Sequence, residues 1–288
     1  LDDTTGTIAF QGNTTITTSL TTANQGYNVA FTGASNTLAG ATTFSNTGTL
    51  TLGNDAADSI TFTGGLTATA PSGVSIAGSV ATGGGAGQSM SIGDSDTPVT
   101  LGAATTLDSG AADVTLGGTV NGAFDLTLDS TGTTTLGGTV GSGIALSSLT
   151  TDAGGSTAIN GGAVTTNGAQ IYNDAVVLGA NTTLTTTSNS SVAFGGTVSG
   201  AQNLSISTNG TGTVTFNGDV TVGSTAASAL SISAAALSLS NGVDISTALV
   251  NGNISFTVDG LTLLGTNTIN AGTGAFSITP GTATYTVE

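Results

Sequence analysis

Cysteine, histidine, lysine, arginine and tryptophan are all missing from this 288-residue chain. Without cysteine there is no disulfide, no thiolate zinc site and no thiol catalysis. Without histidine a Ser-His-Asp arrangement is impossible, and without lysine there is no Schiff-base amine. No cation answers the fifteen aspartates and the single Glu288, so the net charge is −16 and the pI about 4.1. Phosphate backbones and anionic lipid surfaces repel such a chain, which excludes nucleic acid as a partner. No apolar run reaches the ~18 residues that span a bilayer, and no basic segment opens a signal peptide, so no membrane insertion is expected. Leu1 is not an initiator methionine, and the chain reads as a processed product or a section of something longer. Aromatics make up 4% and prolines number three. A wide globular core would want larger side chains, whereas a thin interior would not.

What is abundant is repetition. Val114-Thr-Leu-Gly-Gly-Thr-Val120 returns as Thr134-Thr-Leu-Gly-Gly-Thr-Val140, Val192-Ala-Phe-Gly-Gly-Thr-Val198 and Val214-Thr-Phe-Asn-Gly-Asp-Val220. Each copy sets two apolar residues one position apart, then a Gly or Asn corner, then the start of another strand. That alternation marks a strand with one buried face. Copies about 20 to 24 residues apart are the signature of solenoid coils. The chain therefore reads as all-β, a single elongated β-solenoid over residues 1–288, with a right-handed parallel β-helix as its preferred form. About thirteen coils rising ~4.8 Å each make a rod roughly 60 Å long. Residues 221–250 are rich in alanine, yet Ser and Thr fill alternate positions of Leu230-Ser-Ile232 and Leu237-Ser-Leu239, so they too read as strand. The rhythm breaks at 82–98, where Gly83-Gly84-Gly85 and Gly93-Asp-Ser-Asp-Thr-Pro98 predict a protruding Gly-rich loop, with Ser89-Met-Ser-Ile92 able to form a strand between them. Thr7-Ile-Ala-Phe10 and Thr282-Ala-Thr-Tyr-Thr-Val287 are as strand-like as the interior strands. An open ladder row at each end predicts self-association into a head-to-tail filament.

The repeat text at 116–123, 130–140, 149–162 and 165–176 resembles the repeat region of filamentous-haemagglutinin-like adhesins, large bacterial surface proteins. The resemblance covers most of the chain but lacks the family's Asn-Pro-containing amino-terminal motifs, since no Asn-Pro pair occurs. It implies an extracellular or cell-surface protein with a structural and adhesive role, meeting surface glycans or neighbouring cells, and not an enzyme.

The competing class is a carbohydrate-active β-helix. Lyases of that architecture rely on Arg or Lys, which this chain lacks, and a hydrolase needs two carboxylates at a set separation. Asp55 with Asp58 and Asp94 with Asp96 are the close pairs beyond Asp2-Asp3. Asp108-Ser-Gly110 matches the loop of an aspartic protease, with Asp129-Ser-Thr131 following. That mechanism needs two such loops facing across two lobes, and turn residues are the better reading. No cofactor is expected, with calcium the one ion to consider. Asp94 and Asp96 are its weak candidates, because carboxylates are hard oxygen ligands in a Gly-rich loop. Asn13, Asn181, Asn189, Asn203, Asn209 and Asn253 head Asn-x-Ser/Thr sequons, expected by chance in so Asn- and Thr-rich a chain. Thr-x-Thr pairs such as Thr49/Thr51 and Thr213/Thr215 would, if stacked, form the kind of hydroxyl array that ice-binding solenoids use. They skip several coils, and outward-facing strand residues are the plainer reading.

Overall fold

Short alternating segments punctuated by Gly and Asn leave the chain one economical way to bury its apolar residues, which is to stack strand on identical strand. A computed structural model describes residues 1–223, 228–248 and 252–282. Among the described residues it is all-β without helix, a β-solenoid of about 12 parallel turns against the thirteen or so expected. The expected terminal strand at 282–287 lies, beyond Thr282, outside the described residues. By its contacts the chain divides into two compact units, Leu1–Ser147 and Ser148–Glu288.

In the first unit each coil contributes to three parallel ladders. Face A stacks Thr7–Phe10, Asn28–Phe31, Thr49–Leu52, Gly73–Thr82, Val99–Gly110 and Val120–Asn121. Face B stacks Thr14–Ile16, Ser35–Leu38 and Ser59–Phe62, then the later halves of Gly73–Thr82 and Val99–Gly110, then Asp125–Ser130. Face C stacks Thr42–Thr43, Leu66–Ala68, Met90–Ile92, Val114–Leu116 and Thr133–Leu136. The two long strands pass from face A to face B; Gly78, at φ +78°, turns the first in the left-handed conformation, and a register shift between Leu101 and Thr105 accompanies the turn of the second.

The second unit has the same plan. Face D stacks Ala163–Thr166, Thr182–Thr186, Leu204–Ser207, Leu230–Leu239, Ile254–Leu263 and Phe276–Thr279. Face E stacks Ser148–Thr151, Gln170–Tyr172, Val192–Phe194 and Thr213–Phe216 before the later halves of the two long strands. Face F stacks Ser156–Ile159, Ala175–Leu178, Val198–Gly200, Val220–Val222, Asp244–Thr247 and Thr268–Asn270. The alanine-rich Leu230–Leu239 is strand, as its Ser alternation predicts.

Coil length ranges from 19 residues, Ser156 to Ala175, to 27, Gly78 to Thr105, wider than the repeat spacing suggests. The turns absorb the difference while the strands stay in register. Of the expected loop at 82–98, Met90–Ile92 is a face C strand paired on both sides. Gly83–Gln88 and Asp94–Thr97 are the turns around it, the first closed by a Gln88 N–H donating to Gly85 O at 2.9 Å.

The interior is built of stacked columns, with side chains of different faces meeting across it, as Phe44 meets Phe31 and Phe62 edge-on. Phe10 stacks on Phe31 with centroids 4.4 Å apart, and Tyr172, Phe194 and Phe216 form a second stack at 5.3 and 4.9 Å. Val29, Leu50 and Val74 continue one inward column of face A, each buried. Each such side chain contributes about 1.5–3 kcal/mol by leaving water. At the corners an Asn or Asp side chain accepts a backbone N–H from the next coil. Asn28 receives Thr49, Asn121 receives Gly143 and Ile144, Asp219 receives Asp244, and Asp244 receives Thr268.

Candidate functional site

Corner geometry decides what the conspicuous carboxylates do. Asp94 Oδ1 accepts the Asp96 N–H at 3.0 Å, and the Thr97 N–H reaches Asp94 O at 3.2 Å, making a tight exposed turn. Among the described residues no three acidic side chains converge as a metal cage would require. Asp58, 6% exposed, accepts the N–H groups of Asn54 and Asp55 at 2.8 and 3.1 Å, while Asp55 accepts that of Ala57. Both carboxylates of this pair fix their own turn. Asp108 and Asp129 are register neighbours in one face B ladder rather than loops opposed across a cleft, and Asp108 accepts the Gly110 N–H at 2.9 Å. An aspartic-protease dyad needs opposed loops and finds none in this pair.

The sequon asparagines serve the corners as well. Asn13 accepts from Ser35, Asn181 from Asn203, Asn189 from Thr211 and Asn253 from Ala275, while Asn209 donates to Thr187 O. Asn189 and Asn209 sit at φ 56° and 42°, a left-handed conformation that Asn tolerates better than most residues.

The carboxylate most removed from water among the described residues was not one of those singled out by sequence. Asp174, 3% exposed, precedes the face F strand Ala175–Leu178 and turns its carboxylate inward. Thr151 and Thr157 of the preceding coil donate to its two oxygens at 2.8 and 2.7 Å. Burial raises its pKa above the ordinary carboxylate value; the hydroxyl bonds act against that, and the charge of Asp152 adds to it. Beside it the buried Tyr172 donates to Gln170 Oε1 at 3.1 Å. Gln170 Nε2 in turn donates to Thr166 Oγ1 and to the carbonyls of Val164 and Thr185. Burial, with the Asp174 charge second, raises the Tyr172 phenol as well. The signal was present in the sequence: Gln170 occupies an inward position where the alternation calls for an apolar residue, and Asp174 immediately precedes a strand. Through these bonds the cluster ties Thr151 and Thr157 of one coil to Asp174 of the next.

Open concavities are shallow. One lies over Thr49, Thr51, Gly73, Ser75 and Thr100 on face A, another over Asn181, Thr183, Asn203, Ser205 and Ser231 on face D. Hydroxyls and backbone line both, with no aromatic platform. Compared with known proteins, the chain matches no family model, no curated sequence and no solved structure.

Proposed function

We propose that this chain is a structural and adhesive segment of an extracellular bacterial surface fibre, either forming that fibre by head-to-tail stacking or belonging to a longer adhesin. The observation that carries the reading is the state of the outermost described coils. Phe276 and Ile278 occupy inward ladder positions whose partners, Ile254 and Phe256, are fully buried, yet they are 45% and 41% exposed. Leu261 and Leu263 repeat the pattern against buried Leu237 and Leu239. At the other end Ile8 and Phe10 are half-buried above buried Val29 and Phe31. A further coil, from more of the same chain or from a second copy, would cover these side chains and pair the open strand edges. The resemblance to filamentous-haemagglutinin-like repeats supports a cell-surface location, with glycans or neighbouring cells as partners. Sedimentation velocity over a wide concentration range tests it, with Phe276→Asp as the comparison. Concentration-dependent growth that the substitution abolishes is expected. A chain that stays monomeric with protected terminal amides, and that binds no cell surface, would refute it.

A further inference from the structure

The outward positions of face D form a lattice, whereas the pairs Thr49/Thr51 and Thr213/Thr215 lie on faces A and E. Once serine is counted with threonine, no coil of this face is skipped. One column runs Ala163, Thr183, Ser205, Ser231, Ser255 and Ser277; the other runs Thr165, Thr185, Ser207, Ser233, Thr257 and Thr279. Every step along each column is an in-register ladder pair, so the side chains repeat at roughly 4.8 Å between coils and about 6.6 Å between columns. Eleven of these twelve positions carry a hydroxyl, and none carries a charge or a ring. Within the columns Ser277 donates to Ser255, and Thr257 and Thr279 share a bond, both at 3.2 Å. The hydroxyls of Thr183, Thr185, Ser205, Ser207, Ser231 and Ser233 bond to no other described residue, and all twelve side chains reach solvent.

We infer that this face binds an ordered water lattice, the surface of ice. A hydroxyl offers one donor and two acceptors, so it can replace a water molecule in a hydrogen-bonded sheet. A rigid grid of such groups holds adjacent waters at fixed spacing, which scattered or flexible hydroxyls cannot. The absence of charge from the twelve positions matters equally, because an ion would impose its own hydration shell on those waters; the neighbouring carboxylate, Asp259, stands beyond Thr257 at the edge of the grid and is bonded to Thr282. A neutral small ligand would meet the same hydroxyl pattern at every coil and gain nothing from the repetition. Only a partner with a lattice of its own engages the whole face at once. The lack of aromatic side chains for sugar rings to stack on favours water over a polysaccharide surface.

The test is the fraction of protein taken up into slowly grown ice, with inhibition of ice recrystallisation as a second readout. Wild type and Ser231→Thr are expected to enter the ice. Ser207→Lys and Ser231→Lys, which place a hydrated cation in the grid, should fall to the level of a non-binding control protein. Thr115→Lys, outward on face C of the first unit, should behave as wild type. Circular dichroism confirming the fold of each variant makes a loss attributable to the face. Exclusion of the wild type from ice overturns the inference. Equal loss on Thr115→Lys, or retention on crystalline cellulose without uptake into ice, overturns it too.

Discussion

Thr157 donates its hydroxyl to Asp174 at 2.7 Å from one coil back, and the oxygen it reaches belongs to a carboxylate almost wholly withdrawn from water. The bond offsets desolvation without cancelling it, since the Asp174 pKa stays raised. Between the unfolded carboxylate value and that raised value, the folded chain binds more protons than the unfolded one. Stability contributed by this site therefore grows as pH falls through the window and is constant above it. The melting temperature should rise between pH 7 and pH 4, and Asp174→Asn should remove that part of the rise. A variant with the wild-type pH profile would show that Asp174 is not the titrating group.

Asp259 acts in the opposite sense. Thr282 donates its backbone N–H and its hydroxyl to Asp259, lowering the pKa of this exposed carboxylate. Its contribution is present above the unfolded value and lost as pH falls through the folded one. Asp259→Asn should therefore steepen the stabilisation seen on acidification, measured by the same melting series carried below pH 4.

The aromatic stack should dominate the second unit's core. Phe194 lies between Tyr172 and Phe216 and is fully buried, so Phe194→Ala should cost about 3–5 kcal/mol. Val177→Ala, at a position 42% exposed on face F, should stay within about 0.5 kcal/mol. Urea denaturation read by hydrogen exchange at face E separates the two.

Two glycines at successive corners should respond oppositely. A Cβ on Gly33 would lie 2.2 Å from Gly12 O, whereas one on Gly12 meets nothing within 4 Å. Gly33→Ala must push backbone aside and should destabilise by about 1–3 kcal/mol. Gly12→Ala should be neutral or slightly stabilising. Thermal melts of the two variants suffice.

Much of the fold was legible because the alternation is clean where strands are four residues long. Thr7–Phe10, Thr49–Leu52 and Ser59–Phe62 read directly from their apolar pairs. Faces C and F were harder. A strand such as Thr42–Thr43 or Leu66–Ala68 is too short for alternation to declare itself, so three strands per coil could be read only as two or more. The inward polar residues were hidden for a different reason. Asn36, 2% exposed, fills an apolar slot by donating to Gly33 O at 2.7 Å and accepting from Thr14 at 3.2 Å. Its fitness depends on partners 3 and 22 residues away, which no local window weighs together. The Asp174 cluster left a local trace in the inward Gln170, but its partners Thr151 and Thr157 lie 23 and 17 residues away.

In-register stacking at a fixed distance of one coil also governs the order in which the molecule can be made. Within each unit, no strand pairing among the described residues reaches back more than 27 residues, as between Gly78 and Thr105. A growing or emerging chain thus never waits for a distant partner: the last finished coil is the template for the next, and loop closure costs the same at every step. Such a molecule can be threaded outward from one end and set as it goes, each new length of about two dozen residues crystallising onto the last.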